Sequence, residues 1–254
     1  TINLHEYDRM AGIRRESLEL FGAPDLIVIG GAPSWASDTL VALETESIRA
    51  RETPIVFFGS GTKYYKDPSR RNKFMAQLAE IKRQVIAAGA RDEPTYRDMQ
   101  SQGLPAYMMG CPVMYYVGKN IEWKKSDYFV IPFRSDRIPR HLQFDMEFIK
   151  ELEDVLQAKH LIVFQDYSEV RHAEALSGGL FKRHPVNFLV EYNPDNLLSF
   201  YKNAKFAFSY RLHGTLTAAT CGTPFLQLNM DGRGNDFSKT FDPEGKYTIS
   251  HAKA

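Results

Sequence analysis

Short apolar runs recur along this chain, each closed by glycine or polar residues and separated by longer stretches where apolar residues return every three or four positions. "DLIVIGG" from Asp25, "PIVFFGSG" from Pro54 and "VIAAGARD" from Val85 form a first series. "YFVIPF" from Tyr128, "LIVFQ" from Leu161, "VNFLVEY" from Val186, "FAFSY" from Phe206 and "PFLQLN" from Pro224 form a second. Continuous apolar runs are expected of strands covered on both faces. Between them, "SDTLVALETESIRAR" from Ser37 and "SRRNKFMAQLAEIKRQ" from Ser69 carry helical periodicity with charged outer faces. "EPTYRDMQSQG" reads as a helix stopped by Gly103. "QFDMEFIKELEDVLQA" sets Phe144, Phe148, Leu152, Val155 and Leu156 at amphipathic spacing, and "NPDNLLSFYKNA" opens with an Asn-Pro helix start.

Strands alternating with helices predict parallel sheets, because parallel neighbours need crossover connections. The expected class is α/β, with two Rossmann-like, doubly wound domains facing a cleft, residues 1–118 and 119–254. The polar stretch from Gly118 to Asp127 is the candidate linker. The chain starts at a Thr instead of Met, which leads us to expect that upstream residues, including a first strand, lie outside this sequence.

In such sheets ligands sit beyond the carboxyl ends of the strands. In the second half those positions hold Arg134, Asp166, Asn193, Arg211, His213, Asp231 and Arg233. Several arginines and a histidine at one rim suit a small, highly charged anion. Gly214 would let a ligand approach the backbone, and a small-residue helix expected from Thr215 would offer its N-terminal N–H groups. An arginine can fork onto a carboxylate or phosphate as lysine cannot.

Composition narrows the partners. Thirty-two Lys and Arg against 31 Asp and Glu leave a net charge of +1 over 254 residues. That excludes a general phosphate field and argues against a nucleic-acid partner. Cys111 and Cys221 have no metal-ligand spacing and read as small buried hydrophobes in a reducing, cytoplasmic setting. The remaining histidines show no ligand spacing, so no metal is expected. No apolar run reaches the roughly 20 residues of a membrane span.

The segment "SYRLHGTLTAATCGTPFLQLNMDGR" resembles the Ser-x-Arg-Leu-His motif of polysaccharide pyruvyl transferases, with its small-residue helix, Gly-x-Pro, strand and Asp-x-Lys. "DLIVIGGA", "FFGSG", "ARDEPTYRDMQSQG" and "GCPVM" are similar to further family segments, in order from Asp25 to Arg233. Departures are Ala32 for a third glycine, Thr95 for serine, Arg233 for lysine, and an absent Asn-x-Gly-Asp element. The resemblance implies a glycosyltransferase-B-like fold and a transferase that moves the pyruvyl unit of phosphoenolpyruvate onto hydroxyls of a glycan or exopolysaccharide repeat. The usual product is a ketal, phosphate is released, and no cofactor is needed.

It also implies that the C-terminal domain binds the donor through Arg134, Arg211, Leu212, Gly214 and Arg233, with His213 as catalytic acid. The N-terminal domain would take an oligosaccharide or lipid-linked acceptor, the latter bringing peripheral membrane association. Trp35, Tyr64 and Tyr65 could stack on the acceptor sugar, and Asp92 is either an acceptor ligand or a helix cap. Two other readings remain open: a nucleotide-sugar glycosyltransferase of the same architecture and a non-catalytic glycan-binding relative.

Overall fold

The computed structural model describes residues 25–30, 34–36, 52–61, 68–116, 126–133, 146–164, 169–171, 187–229 and 232–250. The chain divides into two compact units, Thr1–Pro112 and Val113–Ala254. The division falls just before the polar stretch that the sequence offers as a linker.

In the first unit, β1 (Ile27–Gly30), β2 (Ile55–Ser60), β3 (Val85–Ala90) and β4 (Ala106–Met108) make a parallel sheet in that order. Helix α1 (Pro68–Ile81) connects β2 to β3, and α2 (Glu93–Ser101) connects β3 to β4. Right-handed crossovers that step one way across a sheet place their helices on one face. Ile27, Ile29, Ile55, Phe57, Val85 and Ala88 accordingly join Phe74 and Leu78 of α1 and Met99 of α2 in one core. The opposite positions, Val28, Phe58 and Ile86, are about half exposed at 54%, 43% and 56%. Coverage of both faces, expected from the continuous apolar runs, is therefore not seen at these positions. Helix α2 ends where the sequence stops it, with Gly103 at φ +66°.

The second unit is a six-stranded parallel sheet of β5 (Tyr128–Pro132), β6 (Lys159–Phe164), β7 (Phe188–Val190), β8 (Ala207–Ser209), β9 (Phe225–Asn229) and β10 (Thr248–Ser250). Its spatial order is β10-β9-β8-β5-β6-β7. Renumbered from β5, that is the 3-2-1-4-5-6 order of a dinucleotide-type Rossmann sheet, which reverses direction between β5 and β8. Helices α3 (Met146–Leu156), α4 (Pro194–Asn203), α5 (Leu212–Thr220) and α6 (Gly232–Phe241) connect the strands.

Phe129, Ile131, Ile162 and Phe164 pack with Ile149 of α3 on one side, and Val130, Val163 and Ala207 with Tyr201 and Ala218 on the other. Val155, placed by its spacing on the apolar face of α3, is instead 79% exposed; Ile149, Leu152 and Leu156 form the packed stripe. His160 on β6 is buried, its Nδ1 3.0 Å from Glu153 of α3 while Nε2 accepts the Asn187 N–H at 3.2 Å. Cys111 is buried, and burial of the half-buried Cys221 pushes its thiol up to about 11.

Candidate functional site

The reversal between β5 and β8 falls where the carboxyl ends of two neighbouring strands lie side by side, the usual ligand position in an open α/β sheet. β8 ends at Ser209, which is fully buried. Its hydroxyl donates to the Arg211 carbonyl at 2.6 Å and accepts the Arg211 N–H at 3.1 Å. That two-way clamp fixes the turn from strand to helix. The helix begins at Leu212, three residues before the expected start at Thr215, with Arg211 as its N-cap. His213 therefore lies in the first helical turn, half-buried, and not on a preceding loop.

Arg211 is held on two sides. Its Nε donates to the Phe133 carbonyl, at the end of β5, and its Nη2 pairs with Glu169. The two charged side chains are only 12% and 16% exposed. Phe133 directly precedes Arg134 in the chain, so the guanidinium spans the ends of β8 and β5. A side chain tethered in this way is held in a set orientation.

The start of α5 differs chemically from those of α2 and α4. Asp92 caps α2 by accepting the Thr95 N–H at 3.0 Å, and Asn193 caps α4 by accepting the Asp195 and Asn196 N–H groups at 2.9 and 3.3 Å. Arg211 has no acceptor to offer, and α5 has no side-chain cap. A helix N-terminus lacking a side-chain acceptor, beside a guanidinium, favours an anion.

The neighbouring positions differ from expectation in several respects. Leu212 is buried, so only its backbone can face a ligand. Gly214 serves packing: a Cβ there would lie 2.4 Å from Pro132 Cγ and 2.8 Å from Ser209 Oγ, so glycine lets α5 close onto β5. Arg233 is half-buried in the first turn of α6. That turn rests on a polar chain in which Gln227 donates to Asn229 at 2.6 Å and Asn229 to Ser238 at 2.7 Å. Arg134, Asp166 and Asp231, together with Tyr64 and Tyr65, lie outside the described residues.

Trp35 is a correction. It is fully buried, donates Nε1–H to Asp98 at 2.8 Å, and meets Phe57 and Phe74 edge to face at 5.4 and 4.8 Å. Its indole is a core anchor of the first unit and offers no face to a sugar. Asp92 is the α2 cap. Glu169 was missed by the sequence reading, because a single acid past the end of β6 has neither spacing nor a motif to mark it. Among the described residues no His, Cys, Asp and Glu gather as metal ligands would, and no helix is long and apolar enough to cross a membrane.

Residues 2–231 match the model of a family described as polysaccharide pyruvyl transferase. No curated protein matches the sequence. Among solved structures, the UDP-GlcNAc 2-epimerase of Methanocaldococcus jannaschii in complex with UDP-GlcNAc and UDP is similar at 13% identity and a TM-score of 0.58, over 94% of this chain and 68% of that one. The S. aureus MnaA–UDP structure is similar at 14% identity and 0.61, over 98% and 67%. The Neisseria meningitidis UDP-GlcNAc 2-epimerase bound to UDP-GlcNAc is similar at 15% and 0.56, over 91% and 64%. The chain thus spans about two thirds of the length of these structures. At such identities the likeness is one of fold, a glycosyltransferase-B-like α/β class with Rossmann-like units.

Proposed function

Since the chain belongs to the polysaccharide pyruvyl transferase family, we propose that it transfers the pyruvyl unit of phosphoenolpyruvate to hydroxyls of a glycan, forming a ketal and releasing phosphate. One observation supports this most: Arg211, at the end of β8, is tied to the end of β5 beside a helix start without a side-chain cap, at the point where the strand order reverses. Phosphoenolpyruvate carries a carboxylate and a phosphate on one three-carbon unit and needs two anion grips close together. In this reading Arg211 and the first N–H groups of α5 supply one, and Arg134, which follows Phe133, supplies the other.

Chemistry then requires a proton on the methylene carbon, a bond from a sugar oxygen to the central carbon, and cleavage of the carbon–oxygen bond to phosphate. A second hydroxyl closes the ketal. The two hydroxyl protons balance the one gained by the methylene and the one leaving with phosphate. His213 is assigned the proton donation, because imidazole exchanges protons near neutral pH and such a group typically contributes about a hundred- to ten-thousand-fold. Glu169 fixes Arg211 and is a positioning residue.

The test is phosphate release from phosphoenolpyruvate against a panel of soluble and lipid-linked galactosyl, glucosyl and mannosaminyl acceptors. Release that depends on an acceptor supports the assignment. Nucleotide released from a sugar nucleotide, with none of the phosphate, refutes it.

A further inference from the structure

β9 inverts the usual arrangement of a strand inside a sheet. Its leucines, Leu226 and Leu228, are half-buried, whereas Gln227 and Asn229 are 1% and 4% exposed. Alternate residues of a strand share a face, so the two amides lie together on a buried face where a parallel sheet normally carries Val, Ile or Leu. Amides buried there need hydrogen-bond partners, and each polar atom left alone is costly.

The bonds run one way, from the sheet into α6. Gln227 Nε2 donates to Asn229 Oδ1 at 2.6 Å, Asn229 Nδ2 to Ser238 Oγ at 2.7 Å, and Ser238 Oγ to the Gly234 carbonyl at 2.9 Å. Ser238 has one hydroxyl proton and gives it to the carbonyl one turn back. It must therefore accept from Asn229, and this orients both amides. Gln227 Oε1 is left buried with no hydrogen-bond partner among the described residues. Stability alone does not explain a network that carries such a cost.

What the network does is hold α6 in one rotation. A Cβ on Gly234 would lie 2.7 Å from both Asn229 Oδ1 and Gln227 Nε2, so glycine lets the first turn of α6 rest directly on the amides. Gly234 and Ser238 are four residues apart and share a helix face. With that face fixed to the end of β9, the direction of the adjacent, half-buried Arg233 is fixed as well. Gln227 pairs in register with Ser209, whose hydroxyl clamps the start of α5, and α5 and α6 are in contact. Neighbouring strands thus secure two helix starts at one level, one carrying Arg211 and the other Arg233. We propose that Asn229 and Ser238 are positioning residues that aim Arg233 at the anion bound beside Arg211; that this anion is phosphoenolpyruvate rests on the transfer reading above.

The experiment is calorimetric titration of phosphoenolpyruvate, and separately of inorganic phosphate, into wild type, Ser238→Ala, Ser238→Thr, Arg233→Ala and the Arg233→Ala/Ser238→Ala double variant. Ser238→Ala cuts the tie to Asn229 while placing a better helix former at a half-buried position, so cooperative unfolding should be retained. Its Kd for the anion should rise about tenfold, the worth of one charge-assisted hydrogen bond, and Ser238→Thr, which keeps the hydroxyl, should bind close to wild type. In the Arg233→Ala background the serine substitution should change Kd by less than about twofold, because two residues acting through one group are not additive. An equal loss in both backgrounds would mean a general structural effect and would overturn the proposal. So would unchanged binding in Ser238→Ala or Arg233→Ala, no recovery in Ser238→Thr, or a wild type that binds neither anion. The expected pattern with inorganic phosphate, but no binding of phosphoenolpyruvate, keeps the positioning role and removes the transfer reading.

Discussion

Arg211 carries two tasks that lysine cannot combine: Nε to the Phe133 carbonyl and Nη2 to Glu169. Lysine has one ammonium on a flexible stem. Arg211→Lys should therefore weaken phosphoenolpyruvate binding about tenfold or more, equivalent to roughly one charge-assisted hydrogen bond, read by titration. His213→Ala, by contrast, should abolish acceptor-dependent phosphate release while leaving donor affinity within a few-fold. Asp242 offers a residue-scale test of stability. It is buried after α6 and accepts from Lys246 N, Tyr247 N and Thr248 Oγ1 at 2.9, 2.9 and 2.8 Å. Burial pushes its carboxyl up, but the bonds from Tyr247, Thr248 and Lys246 outweigh that and hold it below the usual carboxylate range. A carboxyl depressed in the folded state stabilises fully above its unfolded value and loses that contribution as pH falls through the folded one. Asp242→Asn should lower Tm at pH 7 and remove part of the fall in Tm on acidification.

At the level of elements, the approach of α5 to β5 depends on having no side chain at position 214. Gly214→Ala would press a methyl into Pro132 and Ser209, both held by the sheet. A cost of about 1–3 kcal/mol is expected for overpacking of this kind, seen as a lower Tm together with weaker donor binding as Arg211 and His213 shift. Most elements were legible because long apolar runs and helical periodicity report burial directly. β4 and β10 were not, since strands of three residues carry too little pattern. The start of α5 was misplaced because it depends on the Ser209 hydroxyl clamp, and a residue with no capping chemistry gives no local start signal. Trp35 was misassigned for a related reason: nothing adjacent in sequence shows that Asp98 waits for its N–H.

For the molecule as a whole, a list of strand-end residues could be drawn from sequence, but their grouping could not. Which of them are neighbours depends on strand order, a product of pairing between distant segments. The order β10-β9-β8-β5-β6-β7 puts the ends of β5 and β8 side by side, although "YFVIPF" and "FAFSY" lie far apart in the chain. The same topology sets Glu169, from the segment after β6, against Arg211. The central proposal is that this pair of strand ends holds phosphoenolpyruvate. Titrating phosphoenolpyruvate into wild type, His213→Ala and Arg211→Lys tests it most directly. Saturable binding in the first two and a loss of about tenfold or more in the third would establish the β5 and β8 strand ends as the donor site. No binding to wild type, or equal affinity in all three, would contradict it.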